Sequence, residues 1–289
     1  MRRMRVCAVL VVTVSVFPLS SCHDSEQKFW TQYIEACGPS AQLNKNAYFL
    51  ASNNIGPGSV WGTAGGTANL DALPSAYLGP PNPATQQYAG VNYATSATSC
   101  SGTSTRTWDL TLGLPISISN EADLTAALSI SNVKTITVSI ASVEIDSVPA
   151  ATWEDAANKL NPTSSEFMDA ADGHHFLMSA AEAVTGLTIK YTLNSAVSAN
   201  VKGNIQAGKT VNIGTAQTPA QAQVDVDTTG QVVTFTAPGK TYVLGQFLRL
   251  KPIMVPPSVQ NPVIVAQAQN PLALVKHIQV VSDVTAKLQ

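Results

Sequence analysis

Lys134-Thr135-Ile136-Thr137-Val138-Ser139-Ile140, continuing to Val143 and Ile145, is the stretch that decides the fold class. Apolar side chains alternate with Thr and Ser, so one face of the segment is oily and the other carries hydroxyls. This is the period-two pattern of a half-buried antiparallel strand. The same rhythm runs upstream through Leu110, Leu112 and Leu114, through Ile116 and Ile118, and through Leu124, Ala126, Leu128 and Ile130. Asn132 marks a turn before the next strand. Downstream, strands are expected over residues 187–193, 199–205, 210–213, 221–226, 232–236 and 242–250. Gly203, Gly208, Gly214, Gly230 and Gly239 fall between them or at their ends. The rhythm breaks over 149–185. Trp153-Glu154-Asp155 opens one helix there, and Thr163-Ser164-Ser165-Glu166 reads as a capping box for a second. A third runs through Phe176, Leu177, Ala180, Ala181 and Val184 and ends at Gly186. Residues 272–281 form a last strand or short helix. The class is therefore α+β and β-rich, with antiparallel sheets, an N-terminal helix and a central helical segment.

The N-terminal helix is predicted from Phe29, Trp30, Tyr33 and Ile34, which make one apolar stripe behind a cap at Asp24 or Ser25. Gly38-Pro39 stops it. The stripe reads as a face docked on the body, with a face lying on a membrane as the alternative. Residues 53–105 are rich in Gly, Pro and scattered tyrosines (Tyr77, Tyr88, Tyr93). They form either short strands, with Ser59-Val60-Trp61 one candidate, or a covering loop, or an adaptable recognition surface. Three regions follow: 1–21, 22–105 as the helix plus the Gly/Pro-rich part, and 106–289 as the β-rich body with a helical insertion at 149–185. A faint echo links the two runs, since Leu110-Thr111 and Lys134-Thr135 recur as Leu187-Thr188 and Lys209-Thr210.

Composition narrows the function classes. Hydrophobic residues make up 45% of the chain and charged ones only 12%, which excludes the low-hydropathy, high-charge signature of disorder. The formal net charge is −2, and beyond Arg2, Arg3 and Arg5 no cluster of Lys and Arg exists. A nucleic-acid partner is not expected.

Those three arginines precede an apolar run from Val6 to Phe17, too short for a permanent membrane span and the right length for a signal-peptide core. Pro18-Leu19-Ser20-Ser21-Cys22 follows. The segment resembles the type II signal peptide and lipobox of bacterial lipoproteins. That resemblance implies cleavage before Cys22, acylation of its thiol, and residence in the bacterial cell envelope as a lipid-anchored protein. His23 rather than Asp in the next position implies the outer membrane if the organism is Gram-negative. Two acyl chains anchor stably where one is marginal. With Cys7 removed and Cys22 acylated, Cys37 and Cys100 remain. They form a disulfide in an oxidising compartment, or else two buried thiols or a redox pair. No Cys-x-x-Cys is present.

Candidate chemistry is thin. Asp169, Asp172, His174 and His175 form the densest polar cluster, and Asp172, His174 and His175 are weak metal-ligand candidates because they lack helical His spacing. No Gly-x-Ser-x-Gly elbow, phosphate loop or dinucleotide fingerprint occurs. Glu144 with Asp146, or Glu154 with Asp155, could pair for glycoside cleavage, but Glu144 and Asp146 read as solvated charges on the polar face of a strand. No catalytic residue or cofactor is assigned. The expectation is a membrane-anchored envelope lipoprotein with a non-enzymatic binding or assembly role. It acts toward the bilayer through Cys22 and toward an envelope protein or glycan through its loops. One alternative is a pore-former, its hairpins drawn from 122–148 and 187–236; another is an envelope hydrolase.

Overall fold

The computed structural model describes residues 29–35, 37, 43, 46–53, 55–64, 67–100, 105–110, 115, 118–119, 121–205, 209–213, 220–254 and 275–281. Two antiparallel sheets carry the fold. The first is built on β9 (Phe176–Thr185) and β14 (Lys240–Met254), which pair along most of β9. The far edge of β14 is shared by β1 (Asn46–Ser52) and β15 (Val275–Val281). The far edge of β9 is shared by β2 (Val60–Ala64) and β8 (Ser142–Ser147). β3 (Thr67–Ala72) pairs with β2, and β4 (Asn92–Ser99) with β8. The second sheet takes β5 (Thr105–Thr107), β6 (Ile118–Ser119), β7 (Val133–Ser139), β10 (Thr188–Leu193), β11 (Lys209–Ile213), β12 (Ala220–Val226) and β13 (Val232–Thr236). Their order is β5-β7-β10-β13-β12-β11-β6.

The strand that opened the sequence reading is β7, paired with β10 from Thr188↔Ser139 to Thr192↔Thr135. Its alternation places Ile136 and Val138 in the interior. They join Ile189, Tyr191, Val224 and Phe235 of the second sheet, and Val143, Val184 and Leu244 of the first, in one shared core. Period-two patterning thus predicted β7 and β10 to β13 well, because each has one face on this core and one on solvent; β8 alternates in the same way, but its polar face holds the buried Asp146.

Where a segment is buried on both faces or follows a different period, the structure corrects the sequence reading. Phe176 to Val184 is not a third helix but β9, with Leu177 to Val184 all buried. Its Leu, Met, Ala and Glu are good helix formers, yet burial between two neighbouring strands overrides that preference. Helices over the 149–185 insertion are confined to α4 (Ala150–Ala157) and α5 (Ser165–Ala171). The cap of α5 sits one residue later than the box suggested, since Ser164 Oγ accepts from Phe167 N at 3.2 Å. Two expected strands are helices, α3 (Ala122–Ala127) and α6 (Ala199–Asn204). Leu124 and Leu128, like Val201 and Ile205, are four apart, a spacing that helix and strand share; both pairs turn inward. Ser198 settles the second case by capping Val201 N. The Gly/Pro-rich region is not a free loop, for it holds β2, β3, β4 and the one-turn helix α2 (Ser75–Leu78). The expected strand through residues 111–114 lies outside the described residues, and residues 275–281 are a strand.

Helix α1 (residues 29–35) docks on the shared core. Trp30, Tyr33 and Ile34 are each at most 1% exposed. Phe29 lies 4.4 Å from Trp108 between ring centroids, and Tyr33 Oη donates to Val138 O at 2.8 Å. The alternative of a membrane-lying stripe is overturned, because that face is already occupied by protein. A second cluster packs α2, α4 and α5 on the first sheet through Tyr77, Trp153, Phe167, Leu177, Leu250 and Ile278. A third joins Ile55, Trp61, Met178, Tyr242 and Phe247. β9 supplies residues to all three. Among the described residues no helix is long and apolar enough to cross a membrane.

Candidate functional site

Three polar groupings flank β9. The first is the cluster singled out by sequence. α5 ends at Asp172, and Gly173 (φ +78°) turns the chain into β9. Asp172 Oδ1 accepts from the backbone N of His174 at 2.7 Å and faces His175 Nδ1 at 2.7 Å. The other ring nitrogen, Nε2, meets Asp71 Oδ2 of β3 at 3.0 Å. The structure therefore joins Asp172 and His175 but not the ring of exposed His174, whose backbone alone takes part. The partner that sequence reasoning missed is Asp71, brought in by the β2–β3 hairpin. Gly62 of β2 makes room for it: a Cβ there would collide with Asp71 Oδ2 and lie 3.1 Å from His175 Nε2. Burial pushes the Asp169 carboxyl up, His175 pulls it down, and Asp71 and Asp172 push it up again. Arg249 of β14 donates to Gly173 O through Nε and Nη2 at 3.3 and 3.2 Å. Among the described residues no group of three or more His, Cys, Asp or Glu is arranged to hold a metal. Both nitrogens of His175 already face carboxylates, so a cation there would have to displace one of them.

The second grouping corrects an expectation. Asp146 is not solvated, and Glu144 is half-buried. Asp146 is fully buried and accepts three hydrogen bonds: from Tyr242 Oη at 2.6 Å, Lys240 Nζ at 2.8 Å and Ala94 N at 2.8 Å. Glu144 Oε1 pairs with the same lysine at 2.5 Å, and Lys240 sits 5.1 Å above the Tyr93 ring. Burial lowers the Lys240 pKa, but the hydrogen bonds it donates to Asp146 and Glu144 outweigh this and hold the ammonium above its ordinary range. Burial and then the Asp146 charge push the Tyr242 phenol up. Ala94 takes φ +51° beside a bulge in β4, a backbone cost offset by its bond to the carboxylate. A buried charge set so fully paired fixes β4 and β14 against β8; it leaves no free acid or base for glycoside cleavage. Glu154 is likewise engaged, its Oε1 accepting from Val280 N at 2.6 Å.

The third grouping is a lone carboxyl. Glu182, in the middle of β9, is 1% exposed. Its Oε1 accepts from Leu43 N at 3.2 Å, and among the described residues its Oε2 has no hydrogen-bond partner. Burial is the main cause that pushes its pKa from 4.5 to about 7; the bond from Leu43 opposes this and Glu35 of α1 adds to it. A single Glu inside the run 176–184 was the sequence signal for it, hidden by reading that run as a helix.

Cys22 lies outside the described residues. Cys37 and Cys100 meet as a disulfide with Cα atoms 4.8 Å apart, at the C-terminal side of α1. Of the tyrosines once weighed as a recognition surface, Tyr77 is buried and donates to Glu166 O at 2.8 Å. Tyr93 Oη accepts from Tyr88 N at 2.7 Å. Among the described residues the longest exposed run of this region is 82–87, closed by Gln86 N to Asn82 O (2.7 Å) and Asn82 N to Gln87 O (2.8 Å).

No protein-family model matches the sequence, and no curated protein matches it. Among solved structures, the chain is similar to a bacterial gasdermin from Bradyrhizobium tropiciagri. The identity is 14%, over 70% of this chain and 80% of that one, with a TM-score of 0.35. A score that low carries no argument about fold or activity.

Proposed function

We propose that the chain is a lipid-anchored protein of the bacterial cell envelope, held through acylated Cys22, whose body is displayed close to the bilayer to bind an envelope protein or glycan. The observation that carries this reading is the locking of α1. Six residues lie between Cys22 and Phe29, seven Cα-to-Cα steps (29 minus 22) that span at most about 25 Å of extended chain. From Phe29 onward the chain is fixed by Trp30, Tyr33 and Ile34 and then by the Cys37–Cys100 link. An anchor at Cys22 therefore has a short tether, and the body it holds keeps a restricted orientation. A binding role is favoured over hydrolysis because Glu144, Asp146 and Glu154, three of the four carboxylates that the sequence offered for catalysis, are committed to structural partners. The surface offered to a partner is the exposed, internally bonded turn 82–87.

The test is the intact mass of protein extracted with detergent, together with fractionation of a Cys22→Ala variant. The expected result is a chain starting at Cys22 with diacylglyceryl and fatty-acyl mass, and a variant that leaves the membrane fraction. An unmodified, uncut N-terminus overturns the anchor. Cross-linking in envelopes should then capture a partner that is lost when 82–87 is replaced by Gly and Ser. Dye release from liposomes by the purified chain would replace the binding reading with pore formation.

A further inference from the structure

We propose that α4 is a stand-in strand: the side chains of Asn158 and Glu154 occupy the outer edge of β15 and keep a second copy of this chain from adding to the first sheet there. The sequence of β14 decides which edge that is. In an antiparallel ladder, successive residues send their N–H and C=O alternately to one neighbour and to the other. β15 pairs with β14 through Leu250↔Val280, Lys251↔Gln279 and Pro252↔Ile278. Proline has no N–H to exchange with the residue opposite, so Ile278 bonds outward, away from β14. By the same alternation Val280, two residues on, bonds outward too. Among the described residues no strand pairs with β15 on that side.

Helix α4 takes that place. Ile278 N donates to Asn158 Oδ1 at 2.7 Å, and Asn158 Nδ2 donates back to Ile278 O at 3.1 Å. One amide side chain thus offers Ile278 the acceptor and the donor that a residue on an adjacent strand would offer. Val280 N donates to Glu154 Oε1 at 2.6 Å. Four residues of helix rise about 6 Å and two of strand about 7 Å, so the two side chains keep step with the two outward groups. Asn158 Nδ2 also donates to Glu154 O at 2.7 Å, which fixes the plane of the amide. The cover matters because the edge is dry: Ile278 is 0% exposed and Val280 9%. Backbone groups there cannot fall back on water. The strand would also pair if left open. Ile278, Val280 and Val281 are β-branched, and an unprotected edge of that kind is a template for another chain. A second copy turned through a two-fold axis matches this edge to itself, Ile278 opposite Val280 and Val280 opposite Ile278. The apolar packing of α4 is separate from its guard: Trp153 and Ala157 share a buried cluster with Ile278 and Val280, so the helix stays on the sheet when the two polar side chains are cut back.

The test is Asn158→Ala/Glu154→Ala in the full chain, with near-ultraviolet circular dichroism as the check on packing. In dilute solution the amides of Ile278 and Val280 are expected to exchange at least about tenfold faster, while that of Gln279, which faces β14, does not change. Sedimentation over a roughly hundredfold range of concentration is expected to show self-association that the unaltered chain lacks. Glu154→Gln keeps an acceptor for Val280 N and should behave like the unaltered chain. Unchanged exchange at 278 and 280, equal loss of protection at 279, or a double variant that associates no more than the unaltered chain overturns the proposal. If the double variant does not fold, the single changes give the reading. Glu154→Ala then releases Val280 alone and Asn158→Ala releases Ile278 alone, and any other pattern overturns the proposal.

Discussion

At the scale of single residues, energies are concentrated where polarity and burial conflict. Glu182 is the clearest case. Its folded pKa of about 7 lies above the ordinary 4.5, so between those values the folded chain keeps a proton that the unfolded chain releases. The contribution is fully present below pH 4.5, declines as pH rises toward 7, and is gone above it. The difference amounts to about 3 kcal/mol. Urea midpoints measured across that range should fall with pH, and Glu182→Gln should flatten the slope. Asp146 shows the opposite design, a buried carboxylate with every neighbour satisfied. Asp146→Ala leaves the Tyr242 hydroxyl and the Ala94 amide without their acceptor and Lys240 with Glu144 alone. The expected loss is about 3 kcal/mol in a denaturant titration. Neither residue's role was legible from sequence. Strand alternation correctly placed Glu144 and Asp146 on one face, but which face meets solvent depends on Lys240 and Tyr242, and nothing local announces that partnership.

At the scale of elements, local pattern was a good guide wherever one face of a strand met the core, and it failed in two defined ways. β9 is buried on both faces, so its side chains carry no period, and its composition argued for a helix. α3 and α6 place their buried residues at i and i+4, which an alternating strand does too. The deciding information for α6 was one cap. Ser198→Ala should therefore destabilise by about 1 kcal/mol, with the loss local to residues 199–205 in hydrogen exchange. α1 gave the strongest correct reading, because an aromatic stripe followed by Gly38-Pro39 has few alternatives. Trp30→Ala should cost about 3–5 kcal/mol, the price of a large side chain removed from a packed interior. The candidate cluster was half legible: Asp172 and His175 are neighbours in sequence, whereas Asp71 arrives through a hairpin whose placement depends on β9 being a strand.

At the scale of the whole molecule, the boundary drawn at residue 105 does not coincide with a boundary in the core. Trp30, Tyr33, Ile34 and Cys100 from the N-terminal side share a cluster with Ile136, Tyr191, Phe235 and Leu244. The first sheet is also assembled from both sides of that boundary, since β1 borders β14, β2 borders β9 and β4 borders β8. Of the echo noted in the sequence, Thr111 lies outside the described residues; the chain runs β6, α3, β7 and later β10, α6, β11, and the two helices begin 77 residues apart (Ala199 minus Ala122). Those units interleave: β7 pairs with β10 and β6 with β11, so the crossings through α3 and α6 bind the sheet end to end. Sheets that share a core and exchange strands across every sequence division have no part that closes a hydrophobic surface alone. Fragment 106–289 should consequently fail to reach a native state. It would keep strand signal in the far ultraviolet, lose near-ultraviolet ellipticity, and bind the dye ANS. The intact chain should unfold in one transition, with tryptophan fluorescence and far-ultraviolet signals coinciding. Separate transitions in the intact chain, or a well-packed 106–289 fragment, would mean that the shared cluster is an interface between two domains rather than one core.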